Sequence, residues 1–315
     1  MTSRPKVVVL ATLPAAGLDL LSRRFVVEAR GNQAESGWLR QHAPGAAAIV
    51  ADPGIEVGPE LMDAAGSSLE VVSNFGVGHD NIDLDAARAR GVRATNTPGV
   101  VTNATAELAV ALMLAAGRRI AEADAMIRRD EWTGSEEGIL GRELAGATVG
   151  LVGFGRIAQR VAEMLRCFEV HLLFTSRSYR RSPAGAERRE LPDLLAASDF
   201  VSLHVPLTTE TRHLIDASAL ARMQRGAVLV NTSRGAVVDT AALIDSLRSG
   251  RLGGAGLDVF EDEPNVPEEL RGLPNTVLLP HIGSATAATR DAMARLCAEN
   301  VIAVIEGREP PAPVV

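Results

Sequence analysis

The sequence predicts an α/β protein of two units, the second built on a parallel sheet with helices on both faces. Short β-branched apolar runs alternate with helical stretches along nearly the whole chain. The alternation is interrupted once, by a tract of helix formers over residues 99–132. The length, 315 residues, exceeds one typical domain and leaves enough chain for two cores.

In the first third, "KVVVLA" (6–11), "AAAIVA" (46–51), "LEVVSNF" (69–75) and "VRATN" (92–96) read as buried strands. "AAGLDLLSRR", "PELMDAA" and "DLDAARAR" between them read as short helices, the last capped by Asp80 or Asp83. The tract at 99–132 begins with "ATAELAVALMLAAG", apolar on most faces and therefore expected to be buried all round, between domains or against a partner subunit. A loop with Trp132, Gly134 and Gly138 follows. From residue 148 on, "TVGLVGF", "VHLLFTS", "FVSLHVP", "AVLVNTS", "GAGLDVF" and "TVLLPH" are six apolar strands. "GRIAQRVAEMLRC", "LPDLLAAS", "DASALARMQ" and "DTAALIDSLRSG" are the crossover helices, so this sheet is parallel and covered on both faces. "TAATRDAMARLCAENVIAVIEG" is one long helix suited to cross back to the first unit, and "REPPAPVV" reads as a frayed end.

Composition narrows the function. With 32 basic and 39 acidic residues the net charge is −7, which argues against an extended nucleic-acid surface. Cys167 and Cys297 stand far apart with no CxxC and no Cys/His ligand spacing, so no metal is expected and a reducing compartment is. The opening apolar run is too short for a signal sequence, and no segment reaches about 18 apolar residues without charges. A soluble, cytoplasmic protein is expected.

Gly153-Phe154-Gly155-Arg156-Ile157-Ala158 fits G-x-G-x-x-G/A between a strand and a helix. The first glycine makes the tight turn, the second admits a pyrophosphate to the backbone, and the third position must be small for helix and strand to pack. Unpaired N–H groups and the positive helix end hold the phosphates. Alone the pattern also marks plain turns; between two strands it favours a dinucleotide. NAD sites place Asp or Glu roughly 20 residues on, to bind the ribose 2′-hydroxyl. Here that strand ends Thr175-Ser176-Arg177-Ser178, with Tyr179, Arg180 and Arg181 behind. A carboxylate would repel a 2′-phosphate, whereas a guanidinium and hydroxyls hold one. NADP(H) is favoured over NAD(H); the alternative is a solvated Arg-rich turn that accepts NAD loosely.

Three segments follow at strand ends: "VNTSRGAVVD" (230–239), "GLDVFEDEP" (256–264) and "LPHIGSAT" (279–286). Arg234 suits a carboxylate or carbonyl clamp, Glu263 an orienting acid, and His281 a proton donor. Singly, each is more commonly a surface ion pair or a satisfied structural group; convergence at one crevice sets them apart. His204 and His213 show no acid partner in the sequence.

At these segments, and at "VSNFGVGHDNIDL" and "NTPGVVTNATAE", the chain resembles the D-isomer-specific 2-hydroxyacid dehydrogenases, over about residues 45–305. Within that family it looks most like the glyoxylate/hydroxypyruvate reductase branch, whose members often prefer NADPH. The resemblance implies two Rossmann-like doubly wound domains: residues 1–97 and 285–315 bind substrate, and an inserted dinucleotide domain spans 98–284. The active site would lie in the cleft between them. Arg234 would grip the 2-keto acid, His281 would protonate its carbonyl oxygen, and Glu263 would pair with His281. The N–H groups of Val77 and Gly78 would hold the substrate carboxylate. Thr105, Pro206, Thr211, Thr232, Ser233, Asp258 and Gly283 would line the cofactor, together with Gly153 to Ile157, Ser176, Arg177, Ser178, Arg234 and His281. The helix near 104–117 and the arm after it would form a homodimer interface, with Trp132 either reaching a partner's site or, as is more common for tryptophan, buried as a structural residue.

Three functions stay open at this point. One is NADPH-dependent reduction of a small 2-keto acid such as glyoxylate or hydroxypyruvate to the D-2-hydroxy acid. Another is an NAD-linked dehydrogenase of D-lactate, D-glycerate or a phosphorylated hydroxy acid. The third is a dinucleotide sensor or corepressor without turnover, against which the intact Arg234, Glu263 and His281 weigh. Neither a nucleic-acid nor a membrane partner is expected.

Overall fold

The computed structural model describes residues 4–33, 36–135, 138–177 and 185–315. Ser178, assigned above to the cofactor, and Tyr179, Arg180 and Arg181 lie outside the described residues. The chain divides into two compact units, residues 1–101 with 284–315, and residues 102–283.

The first unit begins β1 (Lys6–Leu10), α1 (Ala15–Ser22), β2 (Val26–Ala29), α2 (Ser36–His42), β3 (Ala46–Ala51), α3 (Pro59–Ala65), β4 (Val71–Asn74), α4 (Leu84–Ala89) and β5 (Arg93–Thr95). Its strands pair in the order β2-β1-β3-β4-β5, all parallel. Every residue of β3 is buried, as a strand without polar side chains is in a sheet covered on both faces. The sequence reading lacks β2, because an edge strand with partly exposed side chains shows no continuous apolar run. It also lacks the seven-residue α2. Asp83 caps α4, accepting the Ala86 N–H at 2.8 Å, which decides between the two candidate aspartates.

The second unit runs α5 (Thr102–Gly117), α6 (Ile120–Arg128), β6 (Thr148–Val152), α7 (Arg156–Leu165), β7 (His171–Thr175), β8 (Glu187–Arg188), α8 (Leu191–Ala197), β9 (Phe200–Leu203), α9 (Ala217–Arg222), β10 (Ala227–Asn231), α10 (Thr240–Arg248), β11 (Leu252–Leu257), α11 (Glu268–Arg271) and β12 (Thr276–Leu278). The seven parallel strands lie in the order β12-β11-β10-β9-β6-β7-β8. Leu194, Leu220, Leu229 and Leu243 fill one core, and Leu112, Val161, Phe174 and Val230 fill another. Alternate residues of β10 point into the two cores, so the sheet is covered on both faces. The order of connection reverses at β6, with β7 on one side and β9 on the other. Ligand crevices form at such a switch point.

The tract over 99–132 holds two helices, α5 and α6. Arg119 takes the left-handed conformation (φ 52°), which ends α5 and starts α6. Within the single chain Ala106, Ala109, Leu112, Met113 and Ala116 of α5 are buried, while Glu107 and Ala111 are exposed. Its small residues let it sit close on its own sheet, where a Cβ at Gly256 would lie 2.9 Å from that of Leu112. Trp132 is 59% exposed in the single chain, not a buried structural tryptophan, and Ile120, Ile127 and Leu140 are exposed with it.

α12 (Ala287–Ile305) belongs to the first unit and packs on α1, where a Cβ at Gly17 would stand 2.6 Å from the Ala294 carbonyl oxygen. On α12 the Cys297 thiol lies 3.0 Å from the Ser73 hydroxyl, and burial pushes its pKa up to about 12. The last residues are not frayed. Val314 N–H donates to the Ala94 carbonyl (2.8 Å), Ala94 N–H to that of Val315 (3.0 Å), and Asn96 N–H to that of Ala312 (3.2 Å). Ala312 is 6% exposed. Backbone pairing to β5 holds this segment, and composition alone does not reveal such pairing. Among the described residues no helix is long and apolar enough to cross a membrane.

Candidate active site

The turn after β6 has the shape its glycines suggest. Gly153 is left-handed (φ 88°), and a Cβ there would fall 2.6 Å from the His204 carbonyl oxygen. Only glycine satisfies both demands. Gly155 caps α7 in extended conformation, and a Cβ there would meet nothing within 4 Å. The glycine therefore keeps open a space at the helix start that no atom of the described residues fills. Ala158 is fully buried against the sheet. Phe154 is buried and stacks on Phe174, ring centroids 4.1 Å apart, so it anchors the turn from beneath. Arg156 is exposed and Ile157 half-buried. Early N–H groups of α7 point to the open space, as those of any helix start do. A pyrophosphate fits these residues.

At the end of β7 stand Thr175, Ser176 and Arg177, without a carboxylate. Arg177 is exposed. The Glu210 carboxyl is held below the usual range by the Thr208 hydroxyl first, then its own backbone N–H and, more weakly, the Arg177 charge. The Arg177 charge is thus felt at the loop after β9. Arg188 of β8, absent from the sequence reading, donates to the Ser176 carbonyl at 3.2 Å and adds a second guanidinium at this edge. In the loop itself, the Thr211 hydroxyl donates to the Pro206 carbonyl (2.7 Å) and accepts the Thr208 N–H (2.8 Å).

Beyond β10 a tight turn aims Arg234. The Asn231 side chain, 1% exposed, accepts from the Ser233 N–H (3.0 Å) and hydroxyl (2.8 Å) and donates to the Arg234 carbonyl (2.9 Å). Arg234 Nη1 donates to the Ser233 carbonyl at 2.9 Å. The Thr232 hydroxyl oxygen is buried with no hydrogen-bond partner among the described residues. Such an orphan inside a site is what a bound ligand would satisfy. A Cβ at Gly235 would lie 1.9 Å from the Phe260 carbonyl carbon, so the Arg234 turn and the loop after β11 touch backbone to backbone.

That loop carries Asp258 and Glu263. Asp258, 1% exposed, accepts the Ile282 and Gly283 N–H groups, each at 2.7 Å. Burial pushes its pKa up despite those bonds and the nearby His281 charge. The Thr105 hydroxyl donates to the Gly283 carbonyl at 3.1 Å. Asp258 and Thr105 thus clasp the segment 281–283 from two sides. Glu263 Oε1 accepts the Phe260 N–H (2.9 Å), and Oε2 meets His281 Nδ1 at 2.7 Å. Burial works to raise the Glu263 carboxyl. The bond and charge of His281, the Phe260 N–H and the Arg234 charge more than offset it and hold the group ionised below its usual value. An ionised acceptor on Nδ1 fixes that nitrogen as the donor and turns Nε2 outward as the reactive position. His281 itself is left-handed (φ 55°), uncommon outside glycine and the kind of local strain found where function fixes a side chain.

Two further histidines differ in their surroundings. His213 does have an acid partner: its Nε2 lies 2.7 Å from Glu261 Oε1, and Thr240 holds the other oxygen at 3.1 Å. The pair joins residues 48 apart in sequence, which no local pattern reveals. Among the described residues His204 has none, and burial drives its pKa down to about 4. Val77 and Gly78 belong to the first unit, where their N–H groups have no partner among the described residues.

Comparison with known proteins agrees with this picture. Residues 110–283 match the model of the D-isomer specific 2-hydroxyacid dehydrogenase, NAD binding domain. The chain is 45% identical over 318 residues to the glyoxylate reductase of Thermococcus litoralis, covering 98% of this chain and 96% of that one. The glyoxylate reductase of Pyrococcus furiosus is 44% identical over 98% of this chain and 94% of its own. Among solved structures, the TT0316 protein of Thermus thermophilus superposes with a TM-score of 0.92 at 45% identity, over 98% of this chain and 100% of that one. An NADPH-dependent glyoxylate/hydroxypyruvate reductase of Sinorhizobium meliloti, solved with NADP and malonate, gives 0.88 at 36% identity over 99% and 97%. A matched family model over more than half the chain, with relatives this similar along nearly their full length, leaves one conclusion: the chain belongs to the D-isomer specific 2-hydroxyacid dehydrogenase family and is an NAD(P)-dependent oxidoreductase.

Proposed function

We propose that the chain reduces a small 2-keto acid of the glyoxylate or hydroxypyruvate kind to its D-2-hydroxy acid, with NADP(H) preferred over NAD(H). The observation that carries the reading is the 2.7 Å contact of His281 Nδ1 with an ionised Glu263, inside the reach of the Arg234 charge. When bound, the reduced nicotinamide supplies the hydride. His281, held by Glu263, keeps Nε2 aimed outward and gives its proton to the developing alkoxide. Arg234 takes the carboxylate and carbonyl oxygens of the substrate as a two-pronged donor. The N–H groups of Val77 and Gly78, in the substrate-binding unit, take the same carboxylate. Gly153 to Ile157 hold the pyrophosphate, and the Thr232 hydroxyl, with no partner among the described residues, takes a cofactor oxygen.

The coenzyme preference rests on charge. Arg177, Ser176 and the neighbouring Arg188 stand where a carboxylate would be needed to hold a 2′-hydroxyl, and a 2′-phosphate suits them better. The exposed Ile120, Ile127, Trp132 and Leu140 support a homodimer formed through α6 and the arm after it. Initial rates with NADPH and NADH against glyoxylate, hydroxypyruvate, pyruvate and phenylpyruvate test the reading. NADPH with the two smallest polar acids is expected to be fastest. No turnover of any of the four acids sinks it.

A further inference from the structure

The loop Gly76-Val77-Gly78 is tied down by its carbonyls. Thr97 N–H donates to the Gly76 oxygen (3.0 Å), Asn96 Nδ2 to that of Val77 (2.7 Å), and Asn74 Nδ2 to that of Gly78. In a trans peptide the C=O of one residue and the N–H of the next point in opposite directions. Holding three successive oxygens inward therefore turns the N–H groups of Val77, Gly78 and His79 the other way. None of these three has a hydrogen-bond acceptor among the described residues. Each donor governs one of them: Thr97 the N–H of Val77, Asn96 that of Gly78, Asn74 that of His79.

Behind Asn96 lies a closed ring of hydrogen bonds. Its N–H donates to the Ala312 carbonyl (3.2 Å), the Ala312 N–H to Asn300 Oδ1 (3.0 Å), and Asn300 Nδ2 back to the Asn96 carbonyl (3.0 Å). Asn300 can sit only one way round, because one end of its amide meets an acceptor and the other a donor. It is fully buried on α12, and Asn96 is 9% exposed. The ring commits both backbone groups of Asn96, and from that fixed backbone its side chain donates to the Val77 carbonyl.

We infer that Asn96 and Asn300 are positioning residues for substrate: the segment around Ala312 and α12 hold Asn96, and Asn96 aims the Gly78 N–H at the substrate carboxylate. The inference rests on the functional reading above, in which that loop takes the carboxylate. The Ala312 segment thereby becomes part of the substrate-binding apparatus, though it bears no group that touches substrate.

Steady-state kinetics of Asn96→Leu and Asn300→Leu in the full chain, with glyoxylate and NADPH, test this. Losing one neutral hydrogen bond that aims a ground-state contact raises KM about tenfold for Asn96→Leu, with kcat held within about twofold. Asn300→Leu, one bond further back, moves KM in the same direction by about threefold. Nucleotide KM stays at the wild-type value in both. Should either leucine variant fail to fold, Asn96→Ser and Asn300→Ser are read by the same split. Unchanged glyoxylate KM in variants of an active wild type overturns the inference, and so does a joint fall of kcat and nucleotide affinity, which marks these asparagines as general supports. A wild type that turns over no keto acid overturns instead the functional reading on which the inference rests.

Discussion

The two units open alike and end differently. In each, the first strand lies inside its sheet, β1 between β2 and β3 and β6 between β7 and β9. In the first unit the turn from β1 to α1 is filled by its own side chains: Ala11 is 2% and Leu13 6% exposed, and Pro14 starts the helix. In the second unit the turn from β6 to α7 has Gly153 and Gly155 at the corresponding place, and the space beyond Gly155 is open. Strand order does not make a nucleotide site; the turn that leaves room for phosphate does. The first unit carries N–H groups without a partner among the described residues elsewhere, past the end of β4.

The hardest break of this comparison separates the turn from the chemistry. His281→Ala should lower kcat by about 10²- to 10⁴-fold while nucleotide binding, measured by fluorescence titration, stays as in the wild type. Turnover that survives would remove His281 from the mechanism. Next, Arg177→Ser should raise the KM for NADPH by about tenfold or more and leave that for NADH nearly unchanged, as expected when a charged partner of a phosphate is lost. Equal effects on both coenzymes would mean that residue 177 does not read the 2′ position.

The glycines divide stability from binding. Gly153→Ala should cost about 1–3 kcal/mol in a melt from its left-handed backbone alone, before the contact with residue 204 is counted. Gly155→Ala should melt as the wild type does but bind nucleotide more weakly, because its methyl enters space meant for phosphate. Ala11→Gly, the mirror change in the first unit, should leave nucleotide affinity alone. The smallest effect concerns Glu263→Gln. The folded pKa of Glu263 lies below its unfolded value, so its charge stabilises above the ordinary carboxylate pKa, and that gain is lost as pH falls through the folded value. The melting gap between wild type and variant should therefore be present at neutral pH and close in acid; a constant gap would argue that the charge of Glu263 is irrelevant to stability.

Much of this is legible in the residues. Apolar strands separated by helical runs expose the two sheets, because burial on both faces demands continuous hydrophobicity. The Gly153 and Gly155 turn is legible because it needs a residue type found nowhere else to similar effect. Residues whose role is made by distant partners are not legible. The break at Arg119 is a backbone choice inside a run of good helix formers. The pairing of residues 312–315 with β5 uses backbone groups that every sequence possesses. The family resemblance assigns Asp258 and Thr105 to the cofactor; in the fold their hydrogen bonds also hold Ile282 and Gly283, a support visible only once strands β11 and β12 lie side by side.

The pairing of Cys297 with Ser73 bears on how the molecule can be handled. A thiol with a pKa of about 12, sealed in the interior, holds almost no thiolate at neutral pH and meets no reagent. Cys167, the chain's other cysteine, is exposed just past α7. A maleimide dye at neutral pH therefore labels one known point on the nucleotide-binding unit of the unmodified protein, with no cysteine to be engineered in or out.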